Sequence, residues 1–203
     1  MKKTKFFLDF DKEEAWLNQM AAEGHLLTKK RLRYTFSPIE PGTAVVRVDY
    51  RQSMKHADFY DYVGLFADAG WQHLTGSRQG GPQYFASRTD DADADIFSDR
   101  VSKTQRYRRS IAAHGAVLLL FGVFSMTLWP LEIVSGSPRE WYLTPGLWDM
   151  QGLEFAGAFA FETIFVIGRV GIPLATPLIA LYCAAIVAYQ SVLYRRANAA
   201  RAA

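Results

Sequence analysis

Two stretches without a single Lys, Arg, Asp or Glu constrain this chain more than any other feature: IAAHGAVLLLFGVFSMTLWPL at 111–131 and VGIPLATPLIALYCAAIVAYQSVLY at 170–194. They run for 21 and 25 residues, and about 20 helical residues cross the hydrocarbon core of a bilayer. A helix in a soluble bundle keeps a polar face. Runs this long and charge-free on every side therefore predict two transmembrane helices, 111–131 and 170–194. The near-zero mean hydropathy averages a polar half and an apolar half.

The flanks predict orientation. Before the first run lie Arg100, Lys103, Arg106, Arg108 and Arg109; after the second lie Arg195, Arg196 and Arg201. The segment 132–169 between them is mostly acidic, with Glu132, Glu140, Asp149, Glu154 and Glu162. The positive-inside rule then puts both termini in the cytoplasm and the connecting loop outside. Anionic lipid of the inner leaflet is the expected partner of the basic flanks. Trp129, Trp141, Tyr142 and Trp148 suit an aromatic belt at the outer interface. MKKTKFFLDFDKEEAW meets four acidic residues before any apolar core, so no signal peptide is read there.

LEFAGAFAFETIFVIG, 153–168, is apolar but short and is interrupted by Glu154 and Glu162. It reads as a re-entrant or interfacial helix, with Gly168, Gly171 and Pro173 marking the turn into the second span. The alternative, a third span, would carry the basic C-terminus outside. Glu162 and Arg169 are either an intramembrane pair or the point where this helix meets headgroups.

The first 88 residues read differently. KFFLDF (5–10) leads into a helical stripe of Trp16, Leu17, Met20 and Ala21, and Gly24 ends it; HLLTK (25–29) and RYTFSP (33–38) follow as strands. The series then restarts with AVVRVDY (44–50), a stripe of Phe59, Tyr62, Val63 and Phe66, Gly70, and the strands WQHLT (71–75) and PQYFAS (82–87). The expected fold is α+β: a duplicated β-α-β-β cytoplasmic domain followed by transmembrane α-helices. Trp16 and Tyr62 take corresponding places in the two units, and Gly24 and Gly70 both suit the left-handed position after a helix. Together the units would make one sheet of about six strands with both helices on one side. Residues 89–110 read as a linker, acidic in TDDADADIFSD and then basic, with 195–203 as a basic tail.

KFFLDFDKEEAWLNQMAAEGHLL, YTF, VVRVDYR, FYDYVGLFADAGWQHL and IFSD, followed by a basic approach to an apolar run, together resemble the bacterial domain of unknown function numbered 2812. The resemblance covers roughly residues 3–110. It implies a domain joined to a few spans in a bacterial cell membrane, often found beside small winged-helix repressors of the PadR type. A membrane-associated regulatory or accessory role follows from that resemblance, with no catalytic residues to carry over.

No constellation of residues points to an enzyme. His25, His56, His73 and His114 show no metal-ligand spacing, and a single Cys183 cannot build a multi-cysteine site. No cofactor is expected. SRQGGPQ (77–83) lacks the lysine-serine ending of a phosphate loop and reads as a hairpin turn. Lys29, Lys30, Arg31 and Arg33 cluster at one turn, yet residues 1–98 hold 13 basic and 14 acidic side chains, so nucleic-acid binding is not expected. KKRLR instead suits solvent, anionic lipid or an acidic protein surface. Asp9 and Asp49, near the ends of the two first strands, either meet on a common surface or each cap the turn into a helix. Arg106, Arg108 and Arg109 are candidate interaction residues of the juxtamembrane segment. The leading functional expectation is a cytoplasmic sensor or protein-interaction domain on membrane helices, with a PadR-like regulator as its protein partner. The competing expectation is an accessory subunit of a transporter or efflux system.

Overall fold

The computed structural model describes residues 1–88, 100–128 and 137–202. TDDADADIFSD, Trp129 and Glu132 lie outside the described residues. The chain divides into two compact units, Met1–Ala113 with Ile186–Ala203, and His114–Ala185.

In the first unit the elements run β1 (Lys2–Lys3), α1 (Phe10–Ala22), β2 (His25–Lys30), β3 (Tyr34–Pro38), then β4 (Ala44–Arg51), α2 (His56–Asp68), β5 (Gln72–Thr75) and β6 (Gly81–Arg88). The fold is α+β. β1-β3-β2 form one antiparallel sheet and β4-β6-β5 another of the same order. A constant shift of 46 residues relates the two halves: Phe10 and His56 open helices of 13 residues, Gly24 and Gly70 follow them at φ +85° and +81°, and bulges follow Leu27 and His73.

Three expectations need correction. KFFLDF (5–10), expected as the first strand, forms none: β1 lies ahead of it at Lys2–Lys3, and Asp9 turns the chain into α1 by accepting from Asp11 N (2.9 Å) and Lys12 N (3.3 Å). The single six-stranded sheet is two three-stranded ones. Their edge strands β2 and β5 each carry a bulge, which breaks the ladder and twists the edge; Lys30 N reaches only the Thr75 hydroxyl, at 3.4 Å. Nor do the helices share a side. α1 clusters with Val46, Val48 and Tyr84, whereas Tyr62 and Phe66 of α2 cluster with Val45 and Phe85. Alternate residues of a strand point to opposite faces, so α1 and α2 cover opposite faces of the second sheet.

The glycines after the two helices are not equally replaceable. A Cβ on Gly24 would sit 3.1 Å from the Ile39 carbonyl, while Gly70 faces open space. Both positions have positive φ, which costs an L-residue about 1–2 kcal/mol. Gly24→Ala is therefore expected to lower the melting temperature more than Gly70→Ala; equal losses would mean that the close approach at Ile39 relaxes freely.

α3 (Arg100–Leu128) is one helix that begins in the first unit and continues through the apolar run. In the second unit two short 3-10 turns, Pro138–Trp141 and Leu147–Asp149, precede α4 (Gly152–Val166). Tyr142 and Trp148 pack on Phe159, with ring centroids 5.0 and 6.2 Å away. The turn expected at Gly168–Pro173 is absent: α4 passes through a π-helical stretch, Ile167–Gly171, directly into α5 (Ile172–Ala202). Pro173 has no N–H for the Arg169 carbonyl four residues back, and widening the helix accommodates that loss. At Pro177 the same problem is met by a side chain, since Thr176 Oγ1 donates to the Pro173 carbonyl at 3.0 Å. Two helical stretches, Thr104–Thr127 and Gly152–Ala199, are long and apolar enough to cross a membrane.

Candidate functional site

The stripe that packs α1 into the core is Phe10, Glu13, Glu14, Leu17, Met20 and Ala21. Two glutamates thus occupy core-facing positions, and a buried carboxylate must be hydrogen-bonded or paired. Glu14 lies against the outer edge of β4, where its Oε2 accepts from Val48 N at 3.0 Å. One turn further on, Asn18 donates to the Val46 carbonyl (3.0 Å) and accepts from Val46 N (2.7 Å). Side chains of α1 therefore take up the backbone groups that an edge strand otherwise leaves open to another chain.

α3 completes that edge. Arg106, with no exposed surface, donates from Nη1 to Glu14 Oε2 (3.0 Å) and the Val48 carbonyl (2.6 Å), and from Nη2 to Asp11 Oδ1 (2.6 Å). The Tyr107 hydroxyl lies 2.9 Å from Asp9 Oδ1 and 2.8 Å from Asp11 Oδ2. Arg109 Nη1 reaches Asp49 Oδ1 (2.9 Å) and the Tyr50 carbonyl (3.0 Å). Asp49 also accepts from the Tyr62 hydroxyl (3.0 Å) and Arg51 Nε (2.9 Å). The result is a clamp in which one turn of α3 grips four carboxylates and two strand carbonyls. Charge-assisted bonds of this geometry are about twice as strong as neutral ones.

This places the candidate residues. Arg106 and Arg109 are in the clamp, not at a lipid surface, while Arg108 projects outward from α3. Asp9 caps α1 and binds Tyr107. Asp49 caps no helix; at the 46-residue shift it corresponds to Lys3, and Asp9 corresponds to Lys55, the residue before α2. The two aspartates are thus inequivalent, and what they share is the α3 turn. Tyr62 holds Asp49, whereas Trp16 is half-buried among Phe7, Tyr34 and Phe36. Glu162 lies elsewhere, in the second unit, where it accepts from Thr144 Oγ1 (2.9 Å), Leu143 N (3.3 Å) and Arg169 Nη2 (3.3 Å). There it pins the 141–144 loop to α4.

Beside the clamp, Glu13 Oε1 accepts from two tyrosine hydroxyls, Tyr34 of the first sheet and Tyr84 of the second, each at 2.6 Å. Burial pushes the Glu13 carboxyl above its ordinary value, and the two hydroxyls only partly offset this. Burial and the neighbouring carboxylate push both tyrosines up in turn. This carboxylate joins the two sheets under α1. Sequence reasoning had stopped at the apolar members of the stripe; the signal it passed over was charge at i−3 and i−4 from Leu17.

No group of metal-ligating side chains occurs among the described residues. No curated protein and no solved structure matches the chain. A family model described as a protein of unknown function (DUF2812) matches residues 9–120. That stretch opens on the helix cap Asp9 and contains both sides of the clamp, the carboxylates of α1 and β4 and the arginines of α3. The chain belongs to the DUF2812 family.

Proposed function

We propose that this is a membrane-anchored regulatory or protein-interaction module whose cytoplasmic α+β domain, two copies of one β-α-β-β unit, is governed through α3. The single observation that carries the reading is the clamp. The helix that supplies Arg106, Tyr107 and Arg109 is the same one that continues as the apolar run to Leu128, so shifting or rotating α3 acts directly on the carboxylates of α1 and β4. A buried set of charge pairs has few intermediate arrangements, which suits it to switching between two.

Exposure supports a lipid environment for the apolar helices. Only 6% of the most apolar window in Thr104–Thr127 and 22% of that in Gly152–Ala199 is buried, whereas core helices of soluble proteins are mostly covered. Hydroxyls in these helices bond back to their own backbone, as Ser125 Oγ does to the Phe121 carbonyl at 2.7 Å and Thr163 Oγ1 to the Phe159 carbonyl at 2.6 Å. This is how polar groups are accommodated in hydrocarbon. With Arg106 and Arg109 taken up by carboxylates, exposed Arg108, Arg195 and Arg196 carry the reading that both termini are cytoplasmic. The partner proposed is a protein, a PadR-type regulator being the kind the family resemblance suggests. The accessory-subunit reading drew on Glu162, whose oxygens are already bonded within their own unit.

The test is crosslinking and pull-down of the full-length chain from native membranes, comparing wild type with Arg109→Gln. Asp49 keeps Arg51 and Tyr62 in that variant, so the fold is retained while α3 is loosened. A DNA-binding regulator recovered in altered yield from the variant is the expected result. Transport proteins recovered alike from both would overturn the regulatory reading.

A further inference from the structure

Two stretches that looked unremarkable apart in the sequence, KKRLR and SRQGG, meet in the fold. The end of β2 and the β5–β6 hairpin together wall a cavity of about 670 Å³, within the usual range of about 300–1,000 Å³ for small-ligand sites. Its lining includes Lys29, Lys30 and Arg31 from one side, Thr75, Ser77 and Arg78 from the other, and no acidic residue. Among the described residues none of the four cations lies within ion-pair distance of a carboxylate. Four like charges around one cavity repel one another; the buried Glu13 carboxyl acts on Lys30 from behind Tyr84, and an entering anion would relieve the rest.

The walls are built before any ligand arrives. Lys30 is held by the Arg31 carbonyl, to which its Nζ donates at 2.8 Å, and lies 4.3 Å from the centre of the Tyr34 ring. The hairpin is pinned from beneath by Gln83, which has no exposed surface. Its Nε2 donates to the Ser77 carbonyl at 2.8 Å, and its Oε1 lies 3.1 Å from His73 Nε2. The Arg78 carbonyl accepts from Met54 N at 3.0 Å, and Gly80 N closes the turn onto the Ser77 carbonyl at 3.1 Å. A Cβ on Gly76 would collide with the Gln83 side chain, so the close approach of the hairpin to its support depends on glycine. A site fixed in this way loses little freedom when a ligand binds.

We propose that this cleft is a binding site for a phosphorylated anion carrying at least two phosphate groups. Each phosphate brings close to two negative charges and three acceptor oxygens, which suits four cations flanked by two hydroxyl donors. Arg31 and Arg78 supply planar forks for phosphate oxygens, and Lys29 and Lys30 act as point charges. No exposed aromatic ring lines the cleft to stack on a base, so recognition is of the phosphates. The site stands independently of the membrane reading and of the clamp.

The test is isothermal titration of the full-length chain in uncharged detergent, with inorganic pyrophosphate as the probe. Saturable binding is expected, with about a tenfold loss of affinity in Lys29→Gln and again in Arg78→Gln, as befits removal of one charge-assisted contact. Both side chains are exposed, so the fold is spared; Lys55→Gln, outside the cleft, should bind as wild type. A second arm repeats the titration in nanodiscs of phosphatidylcholine with and without phosphatidylinositol bisphosphate, whose headgroup carries more than one phosphate. Competition by that lipid would identify a headgroup as the source of the phosphates, and undiminished binding a soluble ligand. Absence of saturable binding, or equal losses in Lys55→Gln and the cleft variants, would overturn the proposal.

Discussion

Arg106→Ala should destabilise the first unit by about 3–5 kcal/mol, the usual cost of removing one partner from a buried ion pair. The guanidinium has no exposed surface, and its loss strips hydrogen bonds from Glu14, Asp11 and the Val48 carbonyl at once. Asp11 is open to water and recovers by hydration, its side chain being 54% exposed. Glu14, at 7%, cannot do so; it retains Arg47 at the longer distance of 3.7 Å, and the largest share of the penalty falls on it. A double-mutant cycle isolates that share. Glu14→Gln keeps an acceptor for Val48 N without the charge, and in its background Arg106→Ala should cost about 1–2 kcal/mol less. Melting curves of the four proteins in detergent measure this. Strict additivity would show that Glu14 takes no share of the penalty, which would then rest on Asp11, the Val48 carbonyl and packing on Phe10 and Tyr107, whose ring centres lie 5.7 and 5.6 Å away.

The same arginine shows why the sequence was only partly legible. Hydrophobic period and glycine punctuation are local signals, and they located both helices of the first unit with their ends, the strands β2 to β6 and the apolar runs. What lay beyond reach was which polar groups would be drawn inward. Arg106 and Arg109 stand in a row of basic residues before an apolar run, a context that reads as a membrane flank, and only tertiary structure brings Asp11, Glu14 and Asp49 to them. The division into two sheets was equally hidden, since a bulge at β2 or β5 leaves no mark in an alternating strand pattern. Proline chemistry misled in the opposite direction. Gly168, Gly171 and Pro173 resemble a turn, but a π-helical stretch and a threonine hydroxyl let the helix continue past two prolines. The anion cleft was split across residues 29–31 and 75–78, each ordinary alone, and β2 and β5 had to become neighbouring edges before the charges converged.

Glu13 carries the second large effect, and it depends on pH. Glu13→Ala leaves the Tyr34 and Tyr84 hydroxyls, both on residues with 1–2% exposure, without their acceptor. At about 1–3 kcal/mol for each orphaned buried group, the expected loss is about 3–5 kcal/mol. Glu13→Gln retains an oxygen for both hydroxyls and should fold with a much smaller change. The wild-type carboxyl has its folded-state value raised from 4.5 by burial, so the native chain holds this proton more tightly than the unfolded chain does. The stability arising from that shift is complete below about pH 4.5 and is lost as the pH rises through the folded-state value. His73 slopes the other way: burial lowers its folded-state value from 6.5, so its contribution is complete above about pH 6.5 and is lost as the pH falls. Subtracting Glu13→Gln from wild type cancels His73 and every other shared group. The difference in melting temperature between the two proteins, followed from pH 4 to pH 8, should move steadily against wild type. A flat difference would mean that the two tyrosine hydroxyls offset the burial and hold Glu13 as an ordinary carboxylate.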